Sequence, residues 1–245
     1  MLAFTRLLNP RIAAIVVVCT TLVALLLFHG ELHLSLGGFV GEGGSGGVRP
    51  KSLAVIMPVN DNSDLTFYKN MWVGDYLRPV CDFAGPECSM SCNEKSTWNT
   101  LHKKTVCFTK QLKEKYTDTE FFIKLDDDAF TDREYIYGLM NQYTGMKEPV
   151  YISDFILNLD RSNPSLNGSY YGNGKFYMFN RPLLDCIDTN IRYRGDRNED
   201  AVFGAMVHNG CGPDVKKILE NDSKIWHKNY TSKNKHIELN YVKNH

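Results

Sequence analysis

FIKLDDDAFTD, residues 122–132, places three carboxylates, Asp126, Asp127 and Asp128, directly behind an apolar run that ends at Leu125. Like charges this close repel, and each raises the proton affinity of its neighbours. The preceding EFFIKL, 120–125, is short and rich in β-formers, so it reads as a strand with the triplet at its carboxyl end. Side chains alternate faces along an extended chain, which puts Asp126 and Asp128 on one face and Asp127 on the other. A hard cation such as Mg2+ or Mn2+ takes oxygen ligands and would turn the mutual repulsion into shared attraction. Other uses of such a triplet compete with this one. A calcium loop counted from Asp126 needs Asp or Asn fifth and Gly sixth, and Phe130 and Thr131 stand there. A glycosidase needs two acids flanking its substrate and no metal, which leaves three adjacent acids unaccounted for. For a triplet taken alone, a solvated acidic turn is the ordinary alternative.

Outward from the triplet, strands alternate with helices. LAVIMPV, 53–59, is a buried strand stopped by Pro58 and the turn-prone NDNSD. LTFYKNMWVGDYL, 65–77, reads as a helix with Asp64 as its cap, and 79–95 as an irregular loop stapled by cysteines. In 96–116, Trp98, Leu101, Thr105, Phe108 and Leu112 recur at helical spacing behind Ser96 as cap. Asp132 caps a helix over REYIYGLMNQY. VYISDFI, 150–156, and KFYMFN, 175–180, are further strands, the second preceded by a polar loop, NGSYYGNG. Asn180 and Pro182 open a helix over PLLDCI. Glu199 and Asp200 fill the first turn of a helix over EDAVFGAMVHNG, 199–210, which Gly210 should stop. This alternation predicts an α/β domain with a mainly parallel, Rossmann-like sheet, whose ligands bind beyond the carboxyl ends of the strands.

The chain has 245 residues, 43% hydrophobic, and Lys+Arg balance Asp+Glu at 28 each, so no basic excess points to nucleic acid. Residues 12–28, IAAIVVVCTTLVALLLF, carry no charge and match a short membrane span. Arg6 and Arg11 precede the span and predict a cytosolic tail over 1–11, with the remainder of the chain translocated. The run exceeds the usual apolar region of a cleaved signal peptide and ends without a small-residue site, so it reads as a retained anchor. Glycines and Ser45 make 29–51 a flexible stem, leaving 52–245 as the lumenal domain. Six cysteines beyond the span, Cys81, Cys88, Cys92, Cys107, Cys186 and Cys211, predict up to three disulfides of open connectivity in an oxidising compartment. Sequons at Asn167, Asn221 and Asn229 fit lumenal glycosylation.

Three segments, in order, resemble the β1,3-galactosyltransferase family, with its β1,3-N-acetylglucosaminyltransferase and Fringe-like relatives. NTLHKKTVCFTKQLKEKYTDTEFFIKLDDDAF is similar to its N-L-T-x-K-T helix and K-x-D-D-D-x-F strand end; YYGNGKFYMFNRPLL to its Y-x-x-G-x-G-Y segment; EDAVFGAMVHNG to its E-D-V-x-x-G motif. The resemblance spans roughly residues 52–210. Two departures stand out: KNMWVGD, with Lys69 and Trp72, replaces R-x-x-W-G, and the family's second strand has no clear counterpart between Leu77 and Ser96.

The resemblance implies a glycosyltransferase-A fold and inverting, Mn2+- or Mg2+-dependent transfer of galactose or N-acetylglucosamine from a UDP-sugar to a glycan, glycoprotein or glycolipid acceptor in β1,3 linkage. It implies a single-pass Golgi membrane protein. It assigns Asp128 to the metal, Asp126 to the ribose or sugar with a share in the metal, and Asp127 as the rival for the nucleotide-sugar. Asp200 is implied as the base, with Glu199 behind it. His227 is the candidate third ligand, and Gly172 and Gly174 would let backbone approach the sugar. The alternative is a non-catalytic lumenal relative that binds carbohydrate or assists folding.

Overall fold

The computed structural model describes residues 52–72, 76–192 and 198–227, with backbone alone for Trp98, Asp222 and His227. The expected tail, anchor and stem, 1–51, lie outside the described residues, among which no helix is long and apolar enough to cross a membrane. In chain order the elements are β1 (Leu53–Pro58), α1 (Thr66–Met71), β2 (Leu77–Cys81), β3 (Met90–Ser91), α2 (Leu101–Lys115), β4 (Phe121–Leu125), β5 (Ala129–Thr131) and α3 (Arg133–Tyr143). They continue with β6 (Val150–Ser153), β7 (Phe155–Leu157), β8 (Tyr170–Gly172), β9 (Phe176–Asn180), α4 (Arg181–Cys186), α5 (Glu199–Cys211), β10 (Lys216–Leu219) and β11 (Ile225–His227).

The main sheet has the order β10-β6-β9-β4-β1-β2-β3. Its pairs are parallel except those of β9, which runs antiparallel to β4 and β6. This is the mixed α/β, mainly parallel architecture that the alternation predicts. The two-residue side-chain period divides the core. Val55, Ile123 and Met178 pack on one face with Ile136 and Met140 of α3 and Tyr68 of α1. Ile56, Phe122, Tyr177 and Phe179 pack on the other with Phe108 of α2, Leu183 of α4 and Phe203 of α5.

Several boundaries move under tertiary contacts. The helix expected over 65–77 ends at Met71, because Leu77 joins a strand whose register sets Val55 opposite Leu77. The second strand, hidden in sequence, is β2, and β3 follows inside what reads as an irregular loop. Disulfides Cys81–Cys88 and Cys92–Cys107 hold that region, and Cys186–Cys211 joins α4 to α5. The helix expected from Ser96 instead opens with a 3-10 turn, Trp98–Thr100, capped by Thr97. Ser96 has a different partner: its backbone N–H and hydroxyl both donate to Asp82. The predicted polar loop before β9 contains β8, which forms a hairpin with β7. The helix expected to stop at Gly210 continues one residue to Cys211, before Gly212 at φ 70°.

Asp132 caps α3 as expected, accepting from the N–H groups of Glu134 (3.0 Å) and Tyr135 (3.2 Å), and it also pairs with Lys224 at 2.6 Å. Asp132→Ala should therefore lower stability by about 1–2 kcal/mol, most of it from the lost cap because the ion pair is half-exposed. Urea unfolding of the two proteins measures the difference.

Candidate functional site

Parallel β1 and β4 end on the same side of the sheet, and a cavity of about 680 Å3 opens there. Pro58, Val59 and Asn60 line it from the end of β1, and Asp126, Asp127 and Asp128 from the end of β4. Asn198, Glu199 and Asp200 line it from the start of α5, and Lys104 from the first turns of α2. The strand-end triplet and the Glu-Asp pair, more than 70 residues apart in the chain, thus face one space.

The start of α5 is aimed there by its surroundings. Asn198 caps it, its side-chain oxygen accepting from the Asp200 N–H at 2.9 Å. Residues Ala201 to Val207 are all buried, so the helix is enclosed rather than amphipathic. Gly204 lets the β7–β8 hairpin close over it: a Cβ there would lie 2.6 Å from the Tyr170 carbonyl oxygen.

At the heart of the site is Lys124, a fully buried lysine on β4. Its Nζ donates to Asp126 Oδ1 at 2.5 Å, to the Gly174 carbonyl at 2.6 Å and to Glu199 Oε1 at 2.7 Å. An ammonium has three N–H donors, and all three are engaged. Asp200 Oδ1 stands 3.7 Å from Nζ, close enough for Coulomb attraction but beyond hydrogen-bond reach, and this buried oxygen has no hydrogen-bond partner. Glu199 is anchored on both oxygens, since Thr105 Oγ1 donates to Oε2 at 3.0 Å.

Burial works against the Lys124 charge, but Asp126, Glu199 and Asp200 together hold its pKa well above the ordinary lysine range. Burial pushes the Asp200 carboxyl up to about 7 against the pull of Lys124, with repulsion from Glu199 and Asp126 adding to the rise. Asp126 is pushed up to about 6, again chiefly by burial, with Lys124 opposing and Glu199 and Asp128 assisting. A second buried lysine, Lys104, donates to the Val59 carbonyl at 2.5 Å and pairs with Asp82 at 2.8 Å. Burial alone would raise Asp82, but bonds from Lys104 and Ser96 hold it below the usual carboxylate range.

The residues expected at the site are placed as follows. Asp126, Asp127, Asp128, Glu199 and Asp200 line the cavity. Asp127 accepts a hydrogen bond from Ser63 in the loop after β1. Gly174 abuts the Asp200 carboxylate, which a Cβ would strike. Gly172 packs elsewhere, where a Cβ would be 2.5 Å from Ser153 Oγ and 2.9 Å from the Tyr151 hydroxyl, and neither glycine is among the residues that line the cavity. The side chain of His227 lies outside what is described, but its backbone pairs with Ala129 in the β5–β11 ladder, one residue from Asp128. Sequence reading passed over Lys124, Thr105, Ser63 and Asn198. The signal for Lys124 was present: a lone charge inside FFIKL, where the chain is otherwise apolar.

Among the described residues no three His, Cys, Asp or Glu side chains gather as a metal cage. Mg2+-type sites, however, commonly use one or two carboxylates and let substrate phosphates complete the shell. Half-buried carboxylates facing a roomy cavity are a donor set of that kind, and they suit a hard divalent cation.

No family model and no curated protein sequence matches this chain. Solved structures share its outline at a distance. A mannosyltransferase from Pyrobaculum calidifontis in complex with GDP-Man and Mn2+ is 13% identical with a TM-score of 0.42, over 76% of this chain and 59% of that one. A Bacillus anthracis protein described as a glucose-1-phosphate thymidylyltransferase, in complex with sucrose, is 8% identical with a TM-score of 0.42, over 79% and 96%. A glycosyltransferase involved in glycosylating the major capsid of PBCV-1 is 10% identical with a TM-score of 0.42, over 76% and 99%. Likenesses this distant leave the chemistry to be read from the site itself.

The raised carboxyl of Asp200 has a measurable consequence. Between about pH 4 and 7 the folded chain keeps a proton that the unfolded chain releases, so stability falls as pH rises through that window. Asp126 contributes the same sign between about pH 4 and 6. Asp200→Asn should make the fall shallower by up to about 1.4 kcal/mol per pH unit. Urea unfolding across pH 4 to 8 in both proteins measures it, and identical pH profiles would contradict a raised Asp200.

Proposed function

We propose that the protein is a metal-dependent inverting hexosyltransferase of glycosyltransferase-A type, moving galactose or N-acetylglucosamine from a UDP-sugar to a glycan hydroxyl in β1,3 linkage. One observation supports this above the others: a single cavity sets a three-carboxylate strand end against Asp200, a buried carboxylate with an oxygen free of hydrogen bonds. A carboxylate poised near neutral pH in the wall of a substrate-sized space suits removal of a hydroxyl proton.

In this reading the Asp200 carboxylate, which lines the cavity, takes the proton of the acceptor hydroxyl as the hydroxyl oxygen bonds to the anomeric carbon. The bond from the anomeric carbon to the diphosphate oxygen breaks, and UDP departs with the electron pair. Glu199, held by Lys124 and Thr105, keeps the base in place rather than replacing it. Asp126 and Asp127 address the ribose or sugar, with Gly174, beside Asp200, and Gly172 letting backbone approach the sugar. Asp128, with Asp126 and His227, would hold the divalent ion, which supplies positive charge to the departing diphosphate.

The same reading makes the chain a relative of the β1,3-galactosyltransferases, with a cytosolic tail over 1–11, a signal-anchor over 12–28, a stem over 29–51 and a lumenal catalytic domain over 52–245 in the Golgi. Three disulfides suit an oxidising lumen, and Asn167 and Asn221 are exposed, as glycosylated sequons must be.

A second reading, a non-catalytic lumenal relative that binds carbohydrate or assists folding, is favoured by one observation. Asp126 and Asp127 already have protein partners, Lys124 and Ser63, so part of the triplet's charge is met without a cation.

Turnover separates the two. The purified full chain should hydrolyse or transfer from UDP-galactose or UDP-N-acetylglucosamine with Mn2+, and lose this activity to a chelator. Asp200→Ala should cut kcat by roughly a hundredfold to ten-thousandfold with the fold intact. Asp128→Ala should raise the Mn2+ requirement and lower activity comparably. A folded wild-type chain that turns over neither donor would favour the non-catalytic reading.

A further inference from the structure

Lys124 is the one cation on β4, and its contacts fall on both sides of the cavity. Asp126 belongs to the strand end that the proposed transferase uses for its donor. Glu199 and Asp200 belong to the helix start that it uses for the acceptor hydroxyl. Gly174 belongs to the turn that joins β8 to β9 beside Asp200. We propose that Lys124 is a positioning residue, a buried joint that sets the start of α5 at a fixed distance from the end of β4 and so places Asp200 in the cavity wall.

The geometry supports a joint rather than a space-filler. A packing lysine would extend its stem along apolar neighbours and lift its head to water. Here the head is fully buried and saturated by acceptors from three segments. Its surroundings are also built for it. Gly174 has no Cβ, so its carbonyl reaches Nζ while its α-carbon clears the Asp200 carboxylate. Thr105 of α2 holds the far oxygen of Glu199, which fixes the carboxylate that Lys124 grips. Tyr177 lies below, with Nζ 5.6 Å from its ring centre, and closes the floor. Because the three N–H groups are taken by Asp126, Gly174 and Glu199, Asp200 Oδ1 at 3.7 Å receives attraction from the ammonium rather than a hydrogen bond.

The donor and acceptor sides are those of the proposed transferase, so the kinetic arm of the test rests on that reading, whereas an exchange arm does not. Lys124→Met leaves buried Glu199 and Asp200 and half-buried Asp126 without their cation and can fail to fold. Lys124→Met with Glu199→Gln restores the charge balance. Glu199→Gln alone keeps every packed atom and only weakens the grip on α5. In the full chain without metal or donor, hydrogen exchange is read at the amides of Asp200 and Val202, which bond to Asn198 at the start of α5. The double variant should speed both by roughly tenfold to a hundredfold, as expected for losing charged hydrogen bonds, while β1 amides keep wild-type rates. Glu199→Gln should move them less, in the same direction.

With donor and Mn2+, the folded double variant should show a higher KM for the UDP-sugar and a lower kcat together. A merely structural lysine would instead lower the folded fraction, leaving KM unchanged and exchange altered uniformly through the sheet. That uniform pattern, in either variant, overturns the proposal. A wild-type chain with no turnover would sink the transferase reading, and the exchange rates would still decide the role of Lys124.

Discussion

A protonated lysine inside a β-sheet is tolerable only if every N–H finds an acceptor, because an isolated ammonium loses far more hydration than packing returns. Lys124 meets that condition through Asp126, Gly174 and Glu199, and the arrangement of the site follows from it. The end of β4, the turn before β9 and the start of α5 must converge within about one side-chain length of Nζ, whatever else the fold does. Buried ion pairs add little net stability, since desolvation offsets attraction, but breaking one is severe. The constraint is therefore chiefly geometric: it excludes arrangements in which α5 slides along the sheet and strands a charge.

The opposite end of α5 is held covalently. Cys186–Cys211 joins its last residue to the end of α4, so the helix is fixed by a charge cluster at one end and a disulfide at the other. From Ala201 to Val207 it is buried on all sides, against Tyr177 and Phe179 of the sheet and beneath the β7–β8 hairpin. The stacked contact of Phe203 on Tyr177, with ring centres 4.5 Å apart, carries this packing up to the floor beneath Lys124. A rigid helix presenting a carboxylate at its first turn can hold a reacting group to within the tolerance that proton transfer needs.

Repulsion within the aspartate triplet is divided rather than met by a single counter-charge. Asp126 turns to Lys124, Asp127 accepts from Ser63, and Asp128 lines the cavity. This division bears on a bound cation, which would have to compete with Lys124 for Asp126. It also accounts for the contrast between the paired carboxylates. Glu199 is committed on both oxygens to the protein, whereas Asp200 retains an oxygen without a donor. Adjacent acids in one helical turn thereby have different surroundings, one hydrogen-bonded on both oxygens and one not.

Much of this was legible in the chain. The strand over EFFIKL, the cap at Asp132, the helix from Glu199 and the α/β alternation all rest on local period and local hydrogen bonding, which neighbouring residues determine. The candidate acids were legible too, because charge behind an apolar run is conspicuous. What local pattern could not reveal was β2, β3, β5 and β8, whose two to five residues become strands only by pairing with distant partners. Nor could it show which carboxylate meets which cation: Lys124 and Glu199 are 75 positions apart, and their contact exists only because the sheet and α5 fold together. Sequence by itself determined the elements and the reactive groups, since propensity and periodicity act over a few residues. Tertiary structure alone decided that Lys124 would spend its donors on Asp126, Gly174 and Glu199 and stand 3.7 Å from Asp200 Oδ1, since that depends on distances across the fold.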